Sequence, residues 1–316
     1  MRALWLAGLV ACGYPELPPI DEGPACPANC GESGQDDCCA SEMVPGNSFF
    51  RSFDPATDGM FSNMNFPATV ENFRFDTYEV SVGRFRQFVE SGLGTQEDPP
   101  VAGDGEHSGI ANSGWLSSFT ANLPADTASL VASLHCDPDI ETWTDAPGNN
   151  EAQPINCVSW FVAFAFCIYD GGYLPTEAEW NFAASGGPQQ RAFPWSNPPS
   201  ATDVDCSFAN YRIDVPSGMQ CKQGTTIVGS QSPKGDSLFG QADLAGNVWE
   251  WVLDGFADPY ADMNCTNCAN LTDVGSRVFR GGGFSFLANN LRTSFRNFVI
   301  PTSRQNFLGM RCARRP

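Results

Sequence analysis

"DLAGNVWEWV", Asp243 to Val252, packs two acids, a glycine, an asparagine and two tryptophans into ten positions. Two readings fit it. As core, Trp249 and Trp251 alternate with their neighbours in the period of two that a strand requires, while Asp243 and Glu250 bond loop amides. As a metal loop, the two acids supply hard anionic oxygens and a tight turn at Gly246 aims carbonyls inward, which is the donor chemistry calcium takes.

The whole chain narrows the classes of partner. Its 316 residues with 42% hydrophobic content are enough to bury a substantial core. Acidic residues outnumber basic ones 36 to 17, and the net charge of −19 repels nucleic acid and anionic lipid. Partners are therefore expected among neutral, cationic or metallic species. Beyond the N-terminus no run reaches the roughly 18 apolar residues of a membrane span.

The first residues, "MRALWLAGLVACGYPE", carry one arginine, an apolar run and then small residues, the layout of an export signal. Leu9-Val10-Ala11-Cys12 resembles a bacterial lipobox. That likeness implies cleavage after residue 11, acylation of Cys12 as the lipid anchor and, with Gly13 following, sorting to the outer membrane. The anchor would then be the chain's only contact with a membrane. A plain signal peptide or a buried first strand are the competing readings.

Removing Cys12 from 13 cysteines leaves an even 12 in a chain bound for an oxidising compartment, so disulfides are expected. Cys265 and Cys268 form the CxxC and read as a loop disulfide. Cys206 and Cys221 flank one loop and are candidates for another. The two histidines, His107 and His135, sit at no zinc-ligand spacing and read as loop residues. Residues 12–44, rich in Pro, Gly, Asp and Cys, read as a stapled linker before a domain at 45–316. Within that domain, residues 95–155 are irregular, with Trp115 and Trp143 expected to pin them to the body.

Three helical patterns stand out. Ser81 caps one whose Val82, Phe85, Phe88 and Val89 share a face, with Gly92 as its stop. Ser159 caps the second, "WFVAFAFCIYDGG", apolar around most of its circumference and so expected at the centre, with Gly171 as its stop. Thr176 and Glu179 form a capping box at the third, which gives the acids Glu177 and Glu179 a structural role.

In order along the chain, "FDTYEVSVGRFRQF", "PTEAEWNFAASGG", "FPW" at Phe193, "DLAGNVWEWV", "RVFRGGGFSF" and "LGMRCARRP" resemble the motifs of the formylglycine-generating enzyme (sulfatase-modifying factor) family. The resemblance runs from about residue 46 to the C-terminus. It implies an irregular α+β fold related to C-type lectins, with little regular secondary structure. It also implies a structural calcium held by a side-chain oxygen of Asp243, the carbonyls of Gly246 and Val248 and the Glu250 carboxylate. A second calcium site at Asn210 and the Tyr211 carbonyl lacks an acidic ligand. The family's disulfide falls on Cys167 and Cys312, where it would close a loop worth roughly 4 to 5 kcal/mol in the chain-entropy limit.

The family's enzymes oxidise a substrate cysteine with two cysteines that bind copper(I), a soft ion that selects thiolates. Here the first cysteine's position is Phe286, the second falls near Ala288 to Leu291, and the serine of the family's GGS is Gly283. Copper is therefore not expected. The chain is expected to be a noncatalytic binding or structural module. Its ligand, a protein, peptide or glycan at the cell surface, would enter a cleft at Trp249, Gly281, Gly282, Gly283, Arg292 and Arg296. The alternative is an oxidoreductase or modifying enzyme with a different metal centre, for which Cys265 and Cys268 are candidate ligands.

Overall fold

The computed structural model describes residues 26–56, 63–214, 218–262, 264–272 and 275–316. The expected signal 1–11 and Cys12 lie outside them. The described strands are β1 (Ala28–Cys30), β2 (Asp36–Asp37), β3 (Ser41–Val44), β4 (Ser48–Phe50), β5 (Pro67–Thr69), β6 (Phe73–Asp76), β7 (Trp249–Gly255), β8 (Cys265–Thr266), β9 (Arg277–Arg280), β10 (Asn297–Val299), β11 (Leu308–Gly309) and β12 (Ala313–Arg314). The α-helices are α1 (Val82–Ser91), α2 (Thr127–Leu134), α3 (Trp160–Tyr169) and α4 (Glu177–Ser185). The architecture is α+β, with most of the chain in turns and loops between these short elements.

Helix boundaries follow local chemistry. The Ser81 and Ser159 side chains accept from the Arg84 and Val162 amides, and Gly92 ends α1 in the left-handed conformation. Both halves of the Thr176 and Glu179 capping box are formed at α4. Helix α2 was not among the expected helices. Asp126 caps it, and its buried Leu130 and Leu134 dock it within the stretch expected to be irregular.

Four small sheets frame the core. The central one runs β10-β9-β7-β11, with β11 parallel to β7 and the other pairs antiparallel. A second runs β12-β6-β3, a third β4-β5-β8, and β1 pairs with β2. Strand β3 lies in the segment expected as linker, so that segment joins the body through its pairing with β6, stapled by Cys26–Cys39 and Cys30–Cys38.

Helix α3 is the centre of the larger core cluster, together with α1, Trp115, Trp143, Trp249 and Trp251. Two indoles lock α3 to β7: Trp160 Nε1 donates to the Val252 carbonyl at 2.8 Å, and Trp251 Nε1 to the Val158 carbonyl at 3.0 Å. The Cys167–Cys312 bridge fastens the same helix to the C-terminal segment. A second cluster packs α4 against β6 and Val252. No described helix is long and apolar enough to cross a membrane.

Candidate functional site

The loop before β7 is held in a conformation its sequence selects. Asp243, Gly246 and Asn247 all have positive φ, at 56°, 95° and 58°. A Cβ on Gly246 would lie 2.6 Å from the Asn210 carbonyl oxygen, so the close approach requires glycine. Asn247 then links four segments. Its amide donates to Asn210, its carbonyl accepts from Phe284, its Oδ1 accepts from the Thr226 amide at 2.9 Å, and its Nδ2 donates to Glu79 at 2.6 Å.

Behind this loop lie three buried carboxylates and one guanidinium. Arg311 donates to both oxygens of Glu250, at 2.8 and 2.7 Å, and to the carbonyls of Asp76, Thr77 and Ala242. Trp180 Nε1 adds a third bond to Glu250 at 2.7 Å. Glu79 accepts from Asn247 and from the Val248 amide, and Asp243 Oδ2 accepts from the Gly229 amide. Burial, and then the charges of Asp243 and Glu250, hold the Glu79 carboxyl well above the usual range. Burial also pushes Asp243 up to about 6 and raises Glu250.

With all three ionised, Glu79, Asp243 and Glu250 carry two more negative charges than Arg311 balances. A hard divalent cation suits that deficit and the all-oxygen donors. Asp243 Oδ1 carries no hydrogen bond among the described residues, whereas three bonds leave Glu250 little donor capacity. Asp243 and the carbonyls of Gly246 and Val248 are therefore the main candidate ligands, with Glu250 mainly the partner of Arg311. Sequence reasoning missed Glu79. Its only signal was a lone carboxylate in the apolar run "TYEVSV", just ahead of the α1 cap.

The residues expected to line a ligand cleft are mostly buried or ion-paired. Trp249 and Gly281 to Gly283 are buried. Phe286 packs on Trp249 at 5.4 Å and on Phe307 at 4.9 Å between ring centroids, so apolar rings occupy the ground where a cleft was expected. A side chain at Gly283 would meet Trp249 Cδ1 at 3.3 Å, and Trp249 Nε1 is buried without a partner among the described residues. Arg292 is neutralised by Asp54 at 2.6 Å, and Arg296 by both oxygens of Glu177 at 2.7 Å. Arg296 lines two adjoining cavities that also share Arg51 and Tyr260.

A copper(I) site needs thiolates, and the described cysteines are joined as six disulfides, Cys136–Cys157, Cys206–Cys221 and Cys265–Cys268 among them. The donor set does not fit that ion. Cys265 and Cys268 are likewise closed to a metal. The Asn210 side chain is occupied by Gly224 and Lys222 of its own loop.

His107 lies in a loop, as expected, but is buried and fully bonded. Its Nδ1 accepts from the Gly109 amide at 2.9 Å, which leaves Nε2 to donate to Glu179 at 3.2 Å. Tyr173 donates to the same Glu179 oxygen at 2.7 Å, so the carboxylate that caps α4 also anchors the long irregular stretch. His135, at the surface, bridges Glu141 and Asp145.

Comparison with known proteins agrees with this architecture. The family described as "Sulfatase-modifying factor enzyme 1-like domain" matches residues 38–316. The formylglycine-generating enzyme of Mus musculus is 30% identical over 257 residues, covering 78% of this chain and 66% of its own length. Hercynine oxygenase of Mycolicibacterium smegmatis is 30% identical over 295 residues, covering 86% of this chain and 60% of that protein. The chain thus spans about two thirds or less of these two relatives. PvdO from Pseudomonas aeruginosa superposes with a TM-score of 0.59 at 18% identity, covering 87% of this chain and 93% of that one, which shows the fold. By its motifs, its fold and these matches, the chain belongs to the sulfatase-modifying factor family of formylglycine-generating-enzyme-type domains.

Proposed function

We propose that this chain is an exported, lipid-anchored binding or structural module that keeps the family's calcium loop and has given up its copper chemistry. The carrying observation is Phe286, in the place the resemblance gives to the first copper cysteine, packed against Trp249 and Phe307. A phenyl ring supplies neither a soft ligand nor a proton acceptor. Supporting the calcium half is the buried excess of carboxylates around Arg311. There the ion acts through charge: it balances Asp243 and its neighbours and fixes the loop that leads into β7.

Elemental analysis of the purified oxidised chain, with calcium and copper(I) titrations, tests this reading. The expected result is about one calcium per chain and a stabilisation of about 2.7 kcal/mol at a hundredfold excess over Kd. Asp243→Asn should abolish both. Stoichiometric copper or iron, with oxygen uptake on a cysteine peptide, would instead establish the oxidoreductase alternative.

The anchor rests on Leu9 to Cys12 and is tested separately. In a bacterial host that processes lipoproteins, the chain should partition with envelope membranes and incorporate labelled palmitate. Cys12→Ala should release it to the soluble fraction. An unlabelled wild type would end the lipoprotein reading and leave the calcium reading untouched.

A further inference from the structure

Arg51, just after β4, is 5% exposed and under-satisfied for a buried guanidinium. Its backbone amide pairs with Phe66, but among the described residues only one of its five side-chain N–H groups donates, to the Asp262 carbonyl, and its buried Nε has no acceptor there. Arg84, Arg280, Arg292, Arg296 and Arg311 each meet a carboxylate, whereas Arg51 meets none among the described residues. It lies over the Tyr260 ring at 4.3 Å, a contact that orients it without cancelling its charge. Burying a cation in this way costs several kcal/mol, and packing alone does not require it.

Arg51 lines a cavity of about 380 Å³, within the size range of small-molecule sites. Its apolar walls include Phe66, Phe256, Tyr260 and Phe295, with Arg296 beside them. Phe298 stacks on Phe256 at 3.9 Å between centroids and carries the apolar surface out to the rim, where it is 48% exposed. Arg51, Arg280 and Arg296 face Glu177 and Asp254 in this region, three cations against two buried carboxylates, with the exposed Asp262 carboxylate also acting on Arg51. Asp258 stands exposed on the cavity wall, and the chain as a whole carries −19, so anything multiply negative is repelled.

We propose that this cavity binds a small monocarboxylate with an aromatic body, its carboxylate on the Arg51 guanidinium and its ring among Phe66, Phe256 and Phe295. The planar guanidinium matches a carboxylate with paired N–H donors, and the aromatic walls supply area and edge-to-face contacts. The site lies apart from the loop at Asp243 and holds whether or not that loop binds calcium.

Calorimetric titration of the full chain with 3-phenylpropionate and with its neutral amide tests it. The acid should bind at least about tenfold more tightly than the amide, because only the acid offers the charged acceptor. Arg51→Met should remove that preference while the melting temperature holds or rises, since the substitution deletes an unpaired buried charge. Phe66→Ala should weaken the acid severalfold and keep its preference over the amide. Equal binding of acid and amide, or an Arg51→Met chain that keeps the preference, overturns the proposal. So does a melting temperature that collapses in Arg51→Met while Phe66→Ala binds the acid as the wild type does, because Arg51 is then a structural residue. Calcium titration of the same variants separates a failure here from a failure of the calcium reading.

Discussion

Replacing Arg311 with methionine should lower the free energy of unfolding by about 3–5 kcal/mol, the range for removing one partner of a buried ion pair. Arg311 and Glu250 are both fully buried and 2.7 Å apart. Methionine fills much of the volume but leaves Glu250, Asp243 and Glu79 facing one another with no cation, and strips a donor from the carbonyls of Asp76, Thr77 and Ala242. The measurement is the urea midpoint at unchanged slope. Arg311→Lys should recover only part of the loss, because a point charge cannot reach both Glu250 oxygens and three carbonyls at once. Added calcium should stabilise the methionine variant more than the wild type if the proposed ion balances the same carboxylates. A loss under about 1 kcal/mol, the scale of an exposed pair, would show that Glu250 is neutral in the fold and that this account of the loop is wrong.

Glu177→Gln should cost about 3 kcal/mol or more by the same argument, with a pH signature of its own. Glu177 accepts from Arg280 at 2.9 Å, from Arg296 at 2.7 Å on each oxygen and from Tyr260 at 3.3 Å. Burial pushes its carboxyl up, yet Arg296 and Arg280 hold it below its ordinary value. A depressed carboxyl gives stability that is fully present above its unfolded pKa, about 4.3, and lost as pH falls through the folded value. Asp76 acts in the same sense beside Arg84 and Arg314. Asp254 acts in the opposite sense. Burial and then the Glu177 charge push it up to about 6, so the folded state gains a proton, and stability, as pH drops from 7 toward 5. In Glu177→Gln both effects shrink: the gain above pH 5 is smaller and the acid loss below about pH 4 shallower than in the wild type. Parallel pH curves for the two proteins would show that Glu177 does not carry the charge assigned to it.

Local chemistry was legible in the sequence, and long-range pairing was not. Ser81, Ser159, Thr176 and Glu179 mark their helices because a cap and its partner amide lie three residues apart. The Cys167–Cys312 bridge was reached through the family's motifs, and Cys265–Cys268 through its short spacing. That the residues expected at a ligand cleft are buried or paired was hidden for a physical reason. Arg292 and Arg296 read as free charges beside glycines, but the carboxylates that neutralise them lie 238 and 119 residues away in sequence. Glu79 was hidden in the same way, since its partners Asn247 and Val248 come 168 and 169 residues later. Arg51 had no sequence signal at all, because a missing partner is visible only once its neighbours are placed.

Arg311 and Cys312 concentrate the ties between distant parts of the body in two adjacent residues. The central helix, the Glu250 strand and the Asp76 strand all take contacts from residues 311–314: a sulfur bridge, a guanidinium and, from Arg314, a further bond to Asp76. The buried acids Asp76, Glu79, Asp243 and Glu250 all precede in sequence the cation that offsets Glu250. A chain that lacks Arg311 and Cys312 would therefore present an unbalanced, unbridged interior to quality-control proteases, however well its earlier segments are formed.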